Sequence, residues 1–377
     1  MNCMSVLPRH TAASVGILLL ISLLMPPACT VARPQTGEPP RNIILLIGDG
    51  MGPAQLSALH LADGHSQFTR MPVGGFLLTS SATHLVTESG AGGTALATGV
   101  RTRNGFIGMD SARRPLVSLF EQARRHRMAT GVVVTSGVTH ATPASFMAHV
   151  DSRKKQAEIA AQIAKGRADV IIGGGREWFL PVGAGGSRDD GRNLAAAMRE
   201  AGYAVALRHD TSVTMPLLML LADDGLPVAG ARSYTLCDLT QTALDLLEHA
   251  EQGFVLMIEG SQIDWASHDH LFEQMLREMR DFDGAVGAAL DFAARDARTL
   301  VVVTADHETG GLSLFGRNPD GSDLHAKWSS DDHTASLVPL FAFGPGADRF
   351  GGLHRNDEVG RMLQELIELR GKVTGKR

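Results

Sequence analysis

The sequence predicts an α/β fold with a mostly parallel central sheet sandwiched between helix layers, and three observations carry that reading. Six short apolar runs rich in β-branched residues, at 43–47, 131–135, 170–172, 254–258, 300–304 and 337–343, have the length and character of strands buried on both faces. Helical patterns lie between them, at 117–126, 154–165, 193–201, 239–250 and 274–295. Each strand run gives way at once to a polar or glycine-rich turn. Strand and helix therefore alternate, which implies a sheet covered by helices on both sides.

The 377 residues suffice for a large core, and 20% charged with 44% apolar residues exclude a disordered chain. A net charge of −5 leaves no global basic field, so no dedicated nucleic-acid binding is expected. The 42 glycines exceed the usual share of about 7% and suit tight turns or close backbone approach to a ligand.

In chain order, Arg9 and His10 precede an apolar run at 15–25, followed by Pro26, Pro27, Ala28 and Cys29. That run has the length of a secretory signal and falls short of the roughly 20 residues that cross a bilayer. Residues 1–32 are read as a cleaved export signal, with lipid anchoring through Cys29 as a minor option, and 33–41 as a tether. The expected location is periplasmic or secreted, with no transmembrane span in the mature chain. A single catalytic domain follows at 42–370, where Cys237 stands alone and no disulfide framework is possible. Loops are expected at 183–192 and 316–332.

In an open α/β sheet ligands bind beyond the carboxyl ends of the strands. The first strand run ends in Gly48-Asp49-Gly50, and the fourth leads to Glu259 and Asp264, with His268 one helical turn beyond Asp264. The fifth leads to Asp306-His307, and Asp332-His333 precedes the sixth. One Asp after a strand is usually a cap or turn former. Three strands ending in acids with imidazoles nearby describe a metal centre instead, because a turn has no need of histidine. Carboxylate with imidazole favours Zn²⁺, carboxylate with hydroxyl favours Mg²⁺, and more than one ion is expected. Ser89, in Thr87-Glu88-Ser89-Gly90-Ala91-Gly92-Gly93-Thr94, is either the cap of a helix or a nucleophile activated by metal coordination. No G-x-S-x-G elbow is present, which disfavours a base-activated hydrolase.

Taken together, these residues resemble the alkaline phosphatase family. The resemblance runs in order from about Asn42 to Gly346, through the Asp49 turn, Thr87-Glu88-Ser89, His140-Ala141-Thr142-Pro143, Ala148-His149-Val150-Asp151-Ser152-Arg153, Glu259 to His268, Thr304 to His307, and His333-Thr334. It implies that Ser89 is phosphorylated during turnover and that Arg153 holds two phosphate oxygens. Asp264, His268 and His333 would bind one Zn²⁺, and Asp49, Asp306 and His307, joined by Ser89, a second. Asp49, Thr142 and Glu259 would form a third site of Mg²⁺ type, where His140 makes Zn²⁺ or Co²⁺ an alternative. The implied reaction is hydrolysis of phosphate monoesters at alkaline pH, by a chain of a usually dimeric family.

Three residues depart from the common pattern. Glu88 stands where many members have aspartate, His140 where one bacterial group has aspartate, and Trp265 where that group has lysine. The short interval from His307 to His333 leaves little room for the large surface insertion of bigger members, so a compact domain is expected. Phosphodiester, phosphonate or sulfate-ester hydrolysis, or metal or phosphate binding without turnover, are the competing readings.

Overall fold

The computed structural model describes residues 38–374 other than 320 and 322. The expected export segment at 1–32, Cys29, and tether residues 33–37 lie outside the described residues. In chain order the strands are β1 (Asn42–Gly48), β2 (Val73–Leu78), β3 (Ala129–Gly137), β4 (Val170–Gly174), β5 (Ala204–Ala206), β6 (Leu217–Leu220) and β7 (Phe254–Gly260). They continue with β8 (Thr299–Thr304), β9 (Glu308–Thr309), β10 (Ser313–Arg317), β11 (Leu324–Lys327), β12 (His333–Thr334), β13 (Val338–Phe343) and β14 (Gly352–Arg355). The helices are α1 (Pro53–Asp63), α2 (Ser89–Thr98), α3 (Leu119–Arg125), α4 (Ala141–Met147) and α5 (Gln156–Ile163). Five more follow: α6 (Leu194–Glu200), α7 (Leu236–Leu247), α8 (Gln262–His268), α9 (Phe272–Asp296) and α10 (Asn356–Thr374).

Among the described residues, ten strands form one sheet in the order β14-β2-β13-β8-β1-β7-β3-β4-β6-β5. From β8 to β5 all neighbours run parallel, as the apolar runs predict, and β1 and β7 are buried along their whole length. The run at 337–343 departs from the expected pattern, because β13 lies antiparallel between β8 and β2. Strand β2 lacks a continuous apolar signal: it alternates partly buried and exposed positions, with only Leu77 buried, and carries two glycines, as a strand near a sheet edge can. The expected loop at 316–332 is partly a hairpin, since β10 and β11 pair antiparallel with a register shift between Leu314 and Gly316.

Helix starts follow local chemistry. Ser118 with Glu121, and Thr235 with Asp238, form reciprocal capping boxes, so α7 begins three residues before the periodic apolar pattern suggests. Long α9 turns Met275, Met279, Phe282, Val286 and Leu290 into the core, and Phe282 packs beneath Gly260 at the end of β7. Registers align Ile47 with both Glu259 and Thr304, so the loops leaving β8, β1 and β7 emerge side by side.

Candidate active site

Those three adjacent strand ends deliver Asp306, Asp49 and Glu259 to one place, and all three carboxyls are buried. Gly50 turns the chain sharply with φ +70°, and a Cβ there would meet Thr309 Oγ1 at 2.7 Å and Asp264 Cα at 2.9 Å. The next helix, α8, thus lies close enough to bring in Asp264 and, one turn on, His268. The short antiparallel pair β9 and β12 sets His333 opposite Thr309 and returns it to the same spot.

The ligand-type atoms are mutually close. His268 Nε2 lies 3.3 Å from Asp264 Oδ1 and 3.1 Å from His333 Nε2, and His333 Nε2 lies 3.6 Å from Asp264 Oδ1. His307 Nε2 lies 3.3 Å from Asp49 Oδ1 and 3.4 Å from Asp306 Oδ2. Ligand atoms of Asp264, His268 and His333, and of Asp49, Asp264 and His307, fall within 4.8 Å of one another. Asp264 therefore reaches toward both groups. Backbone carbonyls orient the outer nitrogens: His268 Nδ1 contacts Asp331 O at 2.8 Å and His333 Nδ1 contacts Thr87 O at 2.9 Å.

The electrostatics call for cations. Burial, reinforced by Asp306, Asp264 and Glu259, pushes the Asp49 carboxyl well above the usual carboxylate range. Burial raises Asp306 too, and burial with the Asp306 charge moves Glu259 up to about 7. His307 is pushed down to about 3 by burial and by neighbouring His333, which leaves a neutral imidazole with a free lone pair. Asp49 Oδ1, Asp306 Oδ2 and Thr142 Oγ1 are buried without a hydrogen-bond partner. Unpaired buried oxygens beside the neutral His307 imidazole are a donor set for divalent metals, so the residues present fit such ions.

Ser89 is the first residue of α2 and is 4% exposed. It is not the cap. Glu88 takes that position and accepts Gly90 N at 2.9 Å and Ala91 N at 2.7 Å. The Ser89 hydroxyl is left facing His307 Nε2 at 3.3 Å and Arg153 Nη1 at 3.4 Å. Arg153 Nη1 also donates to Glu88 Oε2 at 2.7 Å, and Gly105 N donates to Glu88 Oε1 at 2.7 Å. Burial alone would raise Glu88, but the Arg153 guanidinium and these three backbone N–H groups outweigh it and hold the carboxyl below its ordinary range.

His140 caps the start of α4, and Thr142 follows within its first turn. His140 belongs to neither of the two clusters above: its Nε2 lies 2.9 Å from Asp224 Oδ1, and its ring centroid is 5.6 Å from that of Trp265. Sequence reasoning overlooks Asp224, because Asp223-Asp224-Gly225 looks like any polar turn. It also overlooks Thr309, whose hydroxyl donates to Asp264, and Glu308, which accepts from Thr334 beside His333.

Known proteins share this fold. A family model described as alkaline phosphatase matches residues 40–327. Alkaline phosphatase 4 of Bacillus subtilis is 31% identical over 89% of this chain and 91% of its own. The solved alkaline phosphatase of the Antarctic bacterium TAB5 superposes with a TM-score of 0.82 at 34% identity, covering 88% of this chain and 98% of that one. A variant of that protein with a histidine changed to aspartate, solved with Mg bound in the site called M3, matches at 34% identity and a TM-score of 0.81, over 88% of this chain and 99% of its own. With family model, relatives and solved structures agreeing over most of the fold described above, the chain belongs to the alkaline phosphatase family and is a phosphomonoester-hydrolysing enzyme.

Proposed function

We propose that this enzyme works through a phosphoserine formed on Ser89, at a two-zinc centre with a third, magnesium-type site, and that it is most active at alkaline pH. The observation that carries the reading is the placement of the Ser89 hydroxyl, 3.3 Å from His307 Nε2 on one side and 3.4 Å from Arg153 Nη1 on the other. The Arg153 fork, oriented by Glu88, suits two oxygens of a phosphate and aims the phosphorus at Ser89 Oγ. Ser89 attacks phosphorus, the Oγ–P bond forms as the ester oxygen departs, and the serine proton is carried overall to the released alcohol. Water then attacks the phosphoserine, giving inorganic phosphate and restoring the hydroxyl. Zinc ions held by Asp264, His268 and His333, and by Asp49, Asp306, His307 and Ser89, would supply Lewis acidity at the attacking and leaving oxygens and lower the pKa of a bound water.

Asp49, Thr142 and Glu259 offer oxygen donors suited to Mg²⁺, and the orphaned Thr142 hydroxyl supports that role. An imidazole two residues before Thr142, that of His140, makes Zn²⁺ or Co²⁺ an alternative. The catalytic domain spans 42–370 in this reading, and the exported chain is periplasmic or secreted. Among the described residues no helix is long and apolar enough to cross a membrane. Phe76, Leu78 and Leu353 are 46%, 44% and 59% exposed on the outer strands of the sheet, a patch suited to a homodimer contact that sedimentation equilibrium checks.

Acid quenching during turnover of a chromogenic phosphate monoester, followed by peptide mass spectrometry, is expected to find phosphate on Ser89. Ser89→Ala is expected to lose turnover by orders of magnitude while still folding. Full activity in that variant would overturn the covalent mechanism.

A further inference from the structure

Within the cluster of Asp264, His268 and His333, the two imidazoles arrive on different elements, His268 on the last turn of α8 and His333 on β12. The ladder that holds β12 pairs only His333 with Thr309 and Thr334 with Glu308, too short to fix a strand by itself. The place of His333 therefore depends on the loop ahead of it. Gly310 N donates to Asp332 O at 3.1 Å, and Gly310 O accepts Ser329 N at 2.9 Å and Ser330 N at 3.1 Å. Residues 328–332 thus fold back over one glycine.

Trp328 seats its indole on that glycine. A Cβ on Gly310 would fall 2.4 Å from the ring and 3.1 Å from Ser267 O of α8, and Gly310 has φ +87°, so glycine alone lets loop, indole and helix meet here. The indole also stacks on the ring of His270, two residues past the end of α8, with centroids 5.3 Å apart and planes inclined by 2°. Around this stack His270 Nε2 lies 2.8 Å from Ser330 O, and His268 Nδ1 lies 2.8 Å from Asp331 O. One side chain therefore joins the turn that follows His268 to the loop that precedes His333.

We propose that Trp328 is a positioning residue for the metal cluster of Asp264, His268 and His333: packed on Gly310 and His270, its indole clamps loop 328–332 to α8 and keeps the two Nε2 atoms, 3.1 Å apart, converging beside Asp264 Oδ1. The inference rests on the reading of these three residues as a zinc site. It gives the chain between His307 and His333 a task in metal binding, carried by a residue outside the ligand set.

The test titrates the metal-free full chain with Zn²⁺ in competition with a chromophoric chelator, with Mg²⁺ in excess. The parent should show two classes of zinc site, and His333→Ala should abolish one of them, which marks it as this cluster. Trp328→Ala should weaken that class about 10-fold, a usual cost of losing a group that orients a ligand, and leave the other class unchanged. Trp328→Phe, which keeps an aromatic face for Gly310 and His270, should recover most of the loss. Turnover of Trp328→Ala should return to the parent value in excess Zn²⁺ with KM unchanged. Phe315→Ala, which removes a 60% exposed ring from β10 in the preceding hairpin, should bind zinc as the parent does. If Trp328→Ala does not fold, Trp328→Leu, which fills space without an aromatic face, is read the same way. Equal affinity of the marked class in parent and Trp328→Ala would overturn the proposal. So would an equal loss in both classes, or the same loss in Phe315→Ala, since either would mean a general loosening. A His333→Ala variant that keeps every zinc class would instead overturn the reading of the zinc site, and this proposal with it.

Discussion

Glu88 carries two tasks with one carboxylate. Its oxygens cap α2 through Gly90 N and Ala91 N, accept Gly105 N, and hold Arg153 at 2.7 Å. All four partners are donors, so an amide must turn an NH₂ toward one of them. Glu88→Gln is therefore predicted to weaken competitive inhibition by inorganic phosphate about 10-fold, in line with the roughly 1.5–3 kcal/mol of a charge-assisted hydrogen bond. It should also cost about 1 kcal/mol of stability through the damaged cap, measured by urea unfolding. Unchanged phosphate inhibition would show that Arg153 finds its orientation without Glu88. The sequence makes the acid visible beside Ser89 but leaves Ser89 ambiguous between cap and nucleophile. Glu88 resolves that ambiguity, since a helix start has one cap and the longer acid occupies it.

At the scale of elements, a half-buried brace links α3 to the segment that carries Arg153. His149 Nε2 meets Glu121 Oε1 at 3.1 Å, its Nδ1 meets Gly108 O at 2.7 Å, and Arg167 Nη1 joins Glu121 at 2.9 Å. The hydrogen bond to Glu121, against the opposing effect of burial, raises the His149 pKa above its ordinary 6.5. Glu121 lies below its ordinary 4.5 because its bonds to His149 and Ser118 and the charges of His149 and Arg167 outweigh burial. A raised histidine stabilises fully below its unfolded pKa and loses that contribution as pH rises through the folded value; a lowered glutamate stabilises above its unfolded pKa and loses it as pH falls through the folded value. Both contributions coexist between about pH 4.5 and 6.5. His149→Gln should accordingly lower the unfolding free energy more at pH 5.5 than at pH 9, by denaturant melts at both. An equal loss at the two pH values would remove the ionic part of the brace. This brace escapes sequence reasoning because Glu121 and His149 belong to separate elements and each looks like an ordinary polar residue. Of the parallel strands, β1, β3, β4, β7 and β8 were legible because burial on both faces leaves an uninterrupted apolar run; β6 carries such a run over only four residues and was missed, and β2, β5 and β14 are short or half-exposed and leave none.

For the whole molecule, the crowded carboxylates of Asp49, Asp306 and Glu259 make the empty site a source of repulsion that bound cations relieve. Chelation should abolish activity and lower the melting temperature together. A metal at about 1,000 times its Kd adds about 4 kcal/mol, which for a domain of this size corresponds to roughly 6 °C. Readdition of Zn²⁺ should restore both, and Mg²⁺ alone should restore neither, because the imidazoles of His268, His307 and His333 do not suit it. A metal-stripped protein, verified by elemental analysis, that melts unchanged would show that the acids are neutralised by protonation rather than by ions.

The place of β13 has a consequence for the order of events during synthesis. It lies between β8 and β2, so two strands made earlier stay unjoined until a late stretch of chain slots between them. His333, the last of the clustered side chains, arrives just ahead of it. A nascent chain that stops short of β13 therefore holds most of the clustered side chains but neither a finished sheet nor His333 beside Asp264 and His268. The sheet and the cluster are therefore completed together and late, by long-range pairing that cannot form until this last stretch of chain exists.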